Sequence, residues 1–174
     1  MRFAIAAAVA GLGLVASAQA VTFFSGDTTG EPVFNRPLSL TVLSGVGTAV
    51  PYEVTPMFVN TTGSYSVTTD TSGASAYDGY LLLYAGAFDP ADPLDSLIAF
   101  NDDAGGFTLS SVTTSLDVGT QYFIVQTGFG NTDFGTYTGE IDGVGVASIG
   151  LVPEPASLAA VGLAGLGLVR RRRA

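Results

Sequence analysis

The stretch from residue 21 to residue 150 predicts an all-β fold, a two-sheet antiparallel sandwich of jelly-roll type. Three observations carry this. Turn signals built on Gly, Pro, Asp and Asn recur about every eight to twelve residues. Apolar side chains alternate with small hydroxylated ones, as in Tyr65 and Val67 against Ser64, Ser66 and Thr68, which places one face inward and one toward water. No segment in this stretch carries a helical apolar period long enough to compete. Helices are expected only at the ends, a signal-peptide helix before the sandwich and a transmembrane helix after it. The domains are then 1–20, 21–150 and 151–174.

In chain order, Met1-Arg2 supplies a positive start, Phe3 to Val15 an apolar run, and Ala18-Gln19-Ala20 a small-x-small cleavage site. Ala18 and Ala20 mark cleavage by signal peptidase, and the mature chain is expected to begin at Val21. Strands are predicted at 33–35, 38–43, 52–59, 64–69, 80–84, 97–100, 111–116, 122–127, 136–141 and 144–149. Pro51 and Pro56 place the third of these at an edge or a bulge, because proline cannot donate to a ladder. Tyr80-Leu81-Leu82-Leu83-Tyr84 is apolar on both faces. It should be a central strand, covered by the opposite sheet on one side and by a loop on the other.

Composition excludes several functions. Arg36 is the only basic residue between the two end segments and stands against fourteen acids from Asp27 to Asp142. Nucleic acid is excluded as a partner, since neutralising phosphates requires Lys and Arg, and anionic lipid headgroups are excluded for the same reason. There is no cysteine anywhere, and the mature domain has no histidine, lysine or tryptophan. That removes Ser-His-Asp and Cys-His nucleophiles, Schiff-base chemistry and imidazole or thiolate zinc sites. Carboxylate pairs remain, but neighbours on a strand point to opposite faces. Asp102 and Asp103 would need a turn to span the roughly 5 to 9 Å gap of a glycosidase pair, so the domain is expected to be non-catalytic.

Calcium is the sharper expectation for these acids. It takes six to eight oxygens from carboxylates and carbonyls on a wrapping loop, and Asp78, Asn101, Asp102 and Asp103 lie at the ends of strands expected to be neighbours. Asp89, Asp92 and Asp95 form a second acidic group on a Pro-containing loop. The plainer explanation is that all of these form Asx turns and solvate a lysine-free surface. Tyr77, Phe88, Phe107, Phe129 and Phe134 fall in predicted loops, either as working surface or folded back as lids over the sandwich ends.

The tail from Val152 to Ala174 has three parts in order. Pro153-Glu154-Pro155 is a stiff joint, Ala156 to Val169 is apolar and uncharged, and Arg170, Arg171, Arg172 and Arg173 follow. Such a run can enter a bilayer because a helix closes its own backbone hydrogen bonds. The arginines hold its end on the cytoplasmic side. The run is short, covering roughly 20 Å against about 30 Å of hydrocarbon. Triplet, apolar helix and terminal arginines resemble the PEP-CTERM sorting signal of exported bacterial proteins. The resemblance implies recognition by an exosortase-type membrane protease and cleavage near Pro153, Glu154 and Pro155.

A second resemblance runs from Gly63 to Gly143. Gly63-Ser64-Tyr65, Tyr77-Asp78-Gly79-Tyr80, Phe88-Asp89-Pro90, Asn101-Asp102-Asp103 and Gly119-Thr120-Gln121-Tyr122 resemble the bacterial pre-peptidase C-terminal sandwich and, more loosely, CUB domains. It implies an accessory, non-catalytic module in which an acid before the central strand and an Asp-rich turn can share calcium. The expectation is an exported protein of the cell surface or extracellular matrix, membrane-held at least transiently through its C-terminal helix. The alternative is a module that binds extracellular polysaccharide or a surface protein through loops at one end of the sandwich.

Overall fold

Alternation along the strands sorts the side chains into an inward set and an outward set, and the inward set decides how the sheets stack. The computed structural model describes residues 20–153. The expected signal-peptide and transmembrane helices lie outside these residues. Among those described, no helix is long and apolar enough to cross a membrane.

The strands are β1 (Thr22–Asp27), β2 (Val33–Phe34), β3 (Pro37–Ser39), β4 (Val42–Leu43), β5 (Val50–Val59), β6 (Gly63–Asp70), β7 (Gly79–Ala85), β8 (Leu97–Asn101), β9 (Leu109–Leu116), β10 (Tyr122–Gly128), β11 (Thr136–Gly143) and β12 (Ala147–Ile149). One sheet runs β1-β11-β6-β9. The other runs β12-β5-β10-β7-β8, with β2 paired to the start of β5. A separate ribbon joins β3 to β4. From β5 onward each strand lies in the other sheet from the one before it, except β8, which follows β7 in the larger sheet, and all pairings are antiparallel. The fold is the all-β sandwich of jelly-roll type that the sequence predicts.

Two apolar layers result. Between the sheets, Met57, Tyr65, Val67, Leu83, Ile124 and Ile141 pack as the main core. On the outer face of the larger sheet, Phe34, Val50, Tyr80, Leu82, Tyr84 and Val125 form a second cluster. β7 serves both, since Leu81 and Leu83 face the first and Tyr80, Leu82 and Tyr84 the second, all at 2% exposure or less. The Tyr84 hydroxyl donates to Pro93 O at 2.9 Å, tying the loop between β7 and β8 over the second cluster. Each of these buried leucines contributes about 2 kcal/mol of transfer free energy.

Three details differ from the sequence expectation. The 38–43 stretch is a hairpin rather than one strand. The 52–59 strand, as β5, is interior between β12 and β10 rather than at an edge. Pro56 fits there because its carbonyl accepts from Gly150 N at 2.8 Å. Its nitrogen therefore also points toward the β12 side, past the last β12 residue, where no ladder donor is needed. Finally, β1 was not among the expected strands, yet it forms one edge of the smaller sheet against β11.

Candidate functional site

The register of one strand pair assembles the acidic group. β7 and β8 run antiparallel with Leu81 opposite Asn101. Asp78, just before β7, therefore comes beside Asp102 and Asp103, just after β8. Carboxylate oxygens of these three residues lie within 4.8 Å of one another. Ser110, near the start of β9, clasps the two segments, with Oγ 2.6 Å from Asp102 O and 3.1 Å from Gly79 O. Phe129 N donates to Asp78 O at 2.9 Å and Gly79 N to Phe107 O at 3.0 Å, so the backbone here is fixed from three directions.

Arg36 sits behind the acids with no solvent exposure. Its guanidinium carbon lies 3.9 Å from the Tyr80 ring centroid and 4.7 Å from that of Phe129, an arrangement in which both ring faces attract the cation. Nε donates to Phe129 O at 2.9 Å and Nη1 to Pro37 O at 3.1 Å, while Nη2 is buried without a partner. Burial lowers the Arg36 pKa from its ordinary value, and the nearby Tyr80, Asp102 and Asp78 oppose that. Burial pushes the Tyr80 phenol up to about 12.

The acids feel the opposite of a salt bridge. Burial, and then repulsion from Asp102, Asp103 and Asp133, pushes Asp78 up to about 6, with Arg36 pulling it down only in part. Burial and Asp103 also raise Asp102, again against Arg36. Asp78 Oδ1 and Asp102 Oδ1 are buried and have no hydrogen-bond partner. Such oxygens are costly unless something satisfies them. A hard divalent cation fits this donor set, because it would supply the missing positive charge to three convergent carboxylates.

The remaining sequence candidates are dispersed. Asn101 Oδ1 accepts from Ser111 N at 2.9 Å, so that atom is taken up in holding β8 to β9. Asp89 accepts from Ala91 N at 2.9 Å and Asp95 from the Ser96 hydroxyl at 3.2 Å, with backbone turns at Asp89 and Asp92. These acids shape the loop over the second cluster. Of the loop aromatics, Tyr77 is buried, Phe88 and Phe129 pack as lids on the second cluster, and Phe107 and Phe134 are exposed. The sequence shows Arg36 as the lone cation between the end segments, and only the fold places it at the acids. Its solitude among fourteen carboxylates was the available signal. Nothing in the sequence pointed to Ser110.

Pro153 closes the described chain, and Glu154, Pro155 and Arg170 to Arg173 lie outside it, as do Ala18 and the residues before it. β12 ends at Ile149. Gln121 Oε1 then accepts from Val152 N at 2.7 Å, so the sandwich hands over to the tail within a few residues.

No curated protein matches the sequence. Among solved structures, the chain is similar to a family 35 carbohydrate binding module from an environmental isolate, at 12% identity and TM-score 0.43, over 79% of this chain and 97% of that one. It is also similar to the CBM35 from Cellvibrio japonicus Abf62, at 8% identity and TM-score 0.41, over 76% of this chain and 100% of that one. Neither is a pre-peptidase C-terminal domain, and neither likeness carries a ligand over to this chain. Residues 151–173 match the PEP-CTERM protein-sorting motif, a signal for export and C-terminal, membrane-associated sorting.

Proposed function

We propose that this is an exported, non-catalytic protein of the cell surface or extracellular matrix, sorted by an exosortase-type system that cleaves near Pro153, Glu154 and Pro155. The observation that carries the reading is the sorting motif over residues 151–173, which begins two residues after the last strand. Cleavage there would free the sandwich without cutting into it. At the other end β1 begins at Thr22, one residue past the expected mature start, which supports removal of residues 1–20 by signal peptidase. The absence of histidine, cysteine and lysine from the mature domain supports a non-catalytic role. The test is the intact mass of protein recovered from the native cell surface and medium. A chain running from Val21 to near Pro155 is the expected result, whereas a mass that includes Ala156 to Ala174 would mean a retained tail anchor and would end the exosortase reading.

A second reading is favoured by the buried, unpartnered oxygens of Asp78 and Asp102. In it the acid-lined end binds calcium and presents nearby loops to extracellular polysaccharide or a surface protein. Ligand bound only by the folded state raises its stability by mass action. Millimolar calcium should therefore raise the thermal midpoint of the wild type but not of Asp102→Ala. An unchanged wild-type midpoint would remove calcium from the account.

A further inference from the structure

Each sheet has an outer face, and the two faces are finished differently. The outer face of the larger sheet lies under the second apolar cluster and the loop tied down by Tyr84. The outer face of the smaller sheet carries no such cluster among the described residues, and the register shows what stands on it. Phe23, Glu140, Thr68 and Ser111 fall opposite one another on β1, β11, β6 and β9. Beside them runs a second row of Ser25, Thr138, Asp70 and Leu109. Their neighbours along the strands, Val67, Val112, Tyr137 and Ile141, are buried, so the period of two turns both rows outward.

The two rows enclose a hollow. Phe23, at 73% exposure, stands at the rim of a groove of about 260 Å³ whose other walls include Thr68, Asp70, Leu109, Thr138 and Glu140. Further hollows of about 180 Å³ beside Thr136 and about 330 Å³ beside Ser25 also share Thr138, so the depression runs on across the sheet. Glu140 is directly across from Phe23, about 5 Å away, and Asp70 lies one diagonal step from Glu140, about 7 to 8 Å. Asp70 Oδ1 accepts from Ser72 N at 2.8 Å, and the Thr68 and Ser111 hydroxyls bond each other at 2.8 Å. These bonds orient the side chains and leave each with acceptor capacity to spare.

What fits the groove follows from this chemistry. A sugar ring has a face of C–H groups, which lies against the negative face of an aromatic ring, and a rim of hydroxyls, which donate to carboxylates in charge-assisted bonds. One exposed ring with carboxylates and hydroxyls beside it meets both needs. A protein partner needs a wider apolar centre than Phe23 and Leu109 provide. Arg36, the sole basic residue between the end segments, is buried between Tyr80 and Phe129 in the cluster beyond the larger sheet, so no cation here receives a polyanion. The chemistry therefore selects a neutral glycan, and a depression that continues past Thr138 on both sides takes an internal stretch of it.

We propose that the outer face of the smaller sheet binds a neutral polysaccharide, with Phe23 stacked on one sugar ring and Glu140 and Asp70 accepting from the hydroxyls around it. This goes beyond both functional readings, since it uses neither calcium nor the loops of the acid-lined end. It rests on export only for where such a polymer is met.

The test is native electrophoresis of the exported protein purified from its host, with divalent cations chelated. The gels hold galactomannan, xyloglucan or dextran as neutral polymers, or polygalacturonate as an anionic one. The expected result is retardation by at least one neutral polymer and none by polygalacturonate. Phe23→Ala should weaken binding about tenfold or more, Phe23→Trp should keep it, and Glu140→Gln should weaken it by a smaller factor. Thermal midpoints should not change, because both side chains face water. A wild type that no neutral polymer retards overturns the proposal, as does retardation that survives Phe23→Ala. Retardation that appears only with calcium would move the contact to the acid-lined end, and equal retardation by polygalacturonate would overturn the neutral assignment. Binding of decalysine in place of every neutral polymer would make the face a plain anionic surface. Intact mass decides the sorting reading separately, so failure of one leaves the other standing.

Discussion

The two ends of the larger sheet are built to opposite standards of polar satisfaction. At the exit end, where β12 hands over to the tail, a single side chain closes the structure. Gln121 Nε2 lies 3.0 Å from Met57 O, 3.0 Å from Tyr122 O and 3.3 Å from Gly150 O, and its Oε1 accepts from Val152 N. The Tyr122 hydroxyl accepts from Asp117 N at 2.7 Å. At the acid-lined end, Arg36 Nη2, Asp78 Oδ1 and Asp102 Oδ1 are all buried without partners. A closure needs every group paired, because an unpaired one costs free energy with nothing in return. A site that receives something keeps capacity unspent. The contrast puts paired polar groups at the end from which the chain leaves through Val152 and unpaired buried ones at the end that carries Asp78 and Asp102.

The largest expected effect tests whether Arg36 is the keystone of the acid-lined end. Arg36→Met leaves Phe129 O and Pro37 O without donors and removes the nearest cation from Asp78 and Asp102. Removing one member of a buried charged group costs about 3 kcal/mol or more. The urea midpoint at constant slope measures it, and a loss below about 1 kcal/mol would mean the end tolerates its charge unaided. Next comes the exit end. Gln121→Leu should cost about 1 to 2 kcal/mol and speed amide exchange at Val152. Equal exchange in both proteins would show that the hand-over does not depend on this side chain.

The smallest effect is the pH dependence of the acids. Asp78 titrates at about 6 when folded, above its ordinary 3.8, so between these values the folded chain holds a proton that the unfolded chain has lost. Stability from this group is therefore greatest below about pH 4 and is lost as pH rises through about 6. With divalent cations chelated, the wild-type thermal midpoint should gain relative to Asp78→Asn as pH falls across that window. Asp27, lowered by its hydrogen bonds with Thr29, works in the other direction in both proteins and cancels in the difference, which reports Asp78 together with its coupling to Asp102. Parallel profiles would show that the carboxylate is not under the strain its surroundings suggest.

Much of this architecture was legible from period and punctuation. Tyr80 to Tyr84, apolar on both faces, is a strand buried on both faces, because such a pattern has no solvent side to offer. β1 was hidden because Phe23 is 73% exposed while Phe24 packs inward, so two adjacent phenylalanines erase the period-two signal. The β3–β4 hairpin was hidden because its turn, at Leu40 and Thr41, uses neither Gly, Pro, Asn nor Asp. The acids were legible as strand-end residues, but their convergence needed the β7–β8 register.

By itself the sequence determined the all-β class, the anionic and lysine-free surface, and the sorting motif at residues 151–173. These are local or compositional properties, readable without knowing which segments meet. Only the tertiary structure decided that Asp78, Asp102 and Asp103 come together while Asn101 Oδ1 turns to Ser111. It also decided that Arg36 is buried between Tyr80 and Phe129. The reason is register, since a one-residue slip of β8 against β7 would turn every side chain to the other face. Nothing within either strand alone sets that alignment.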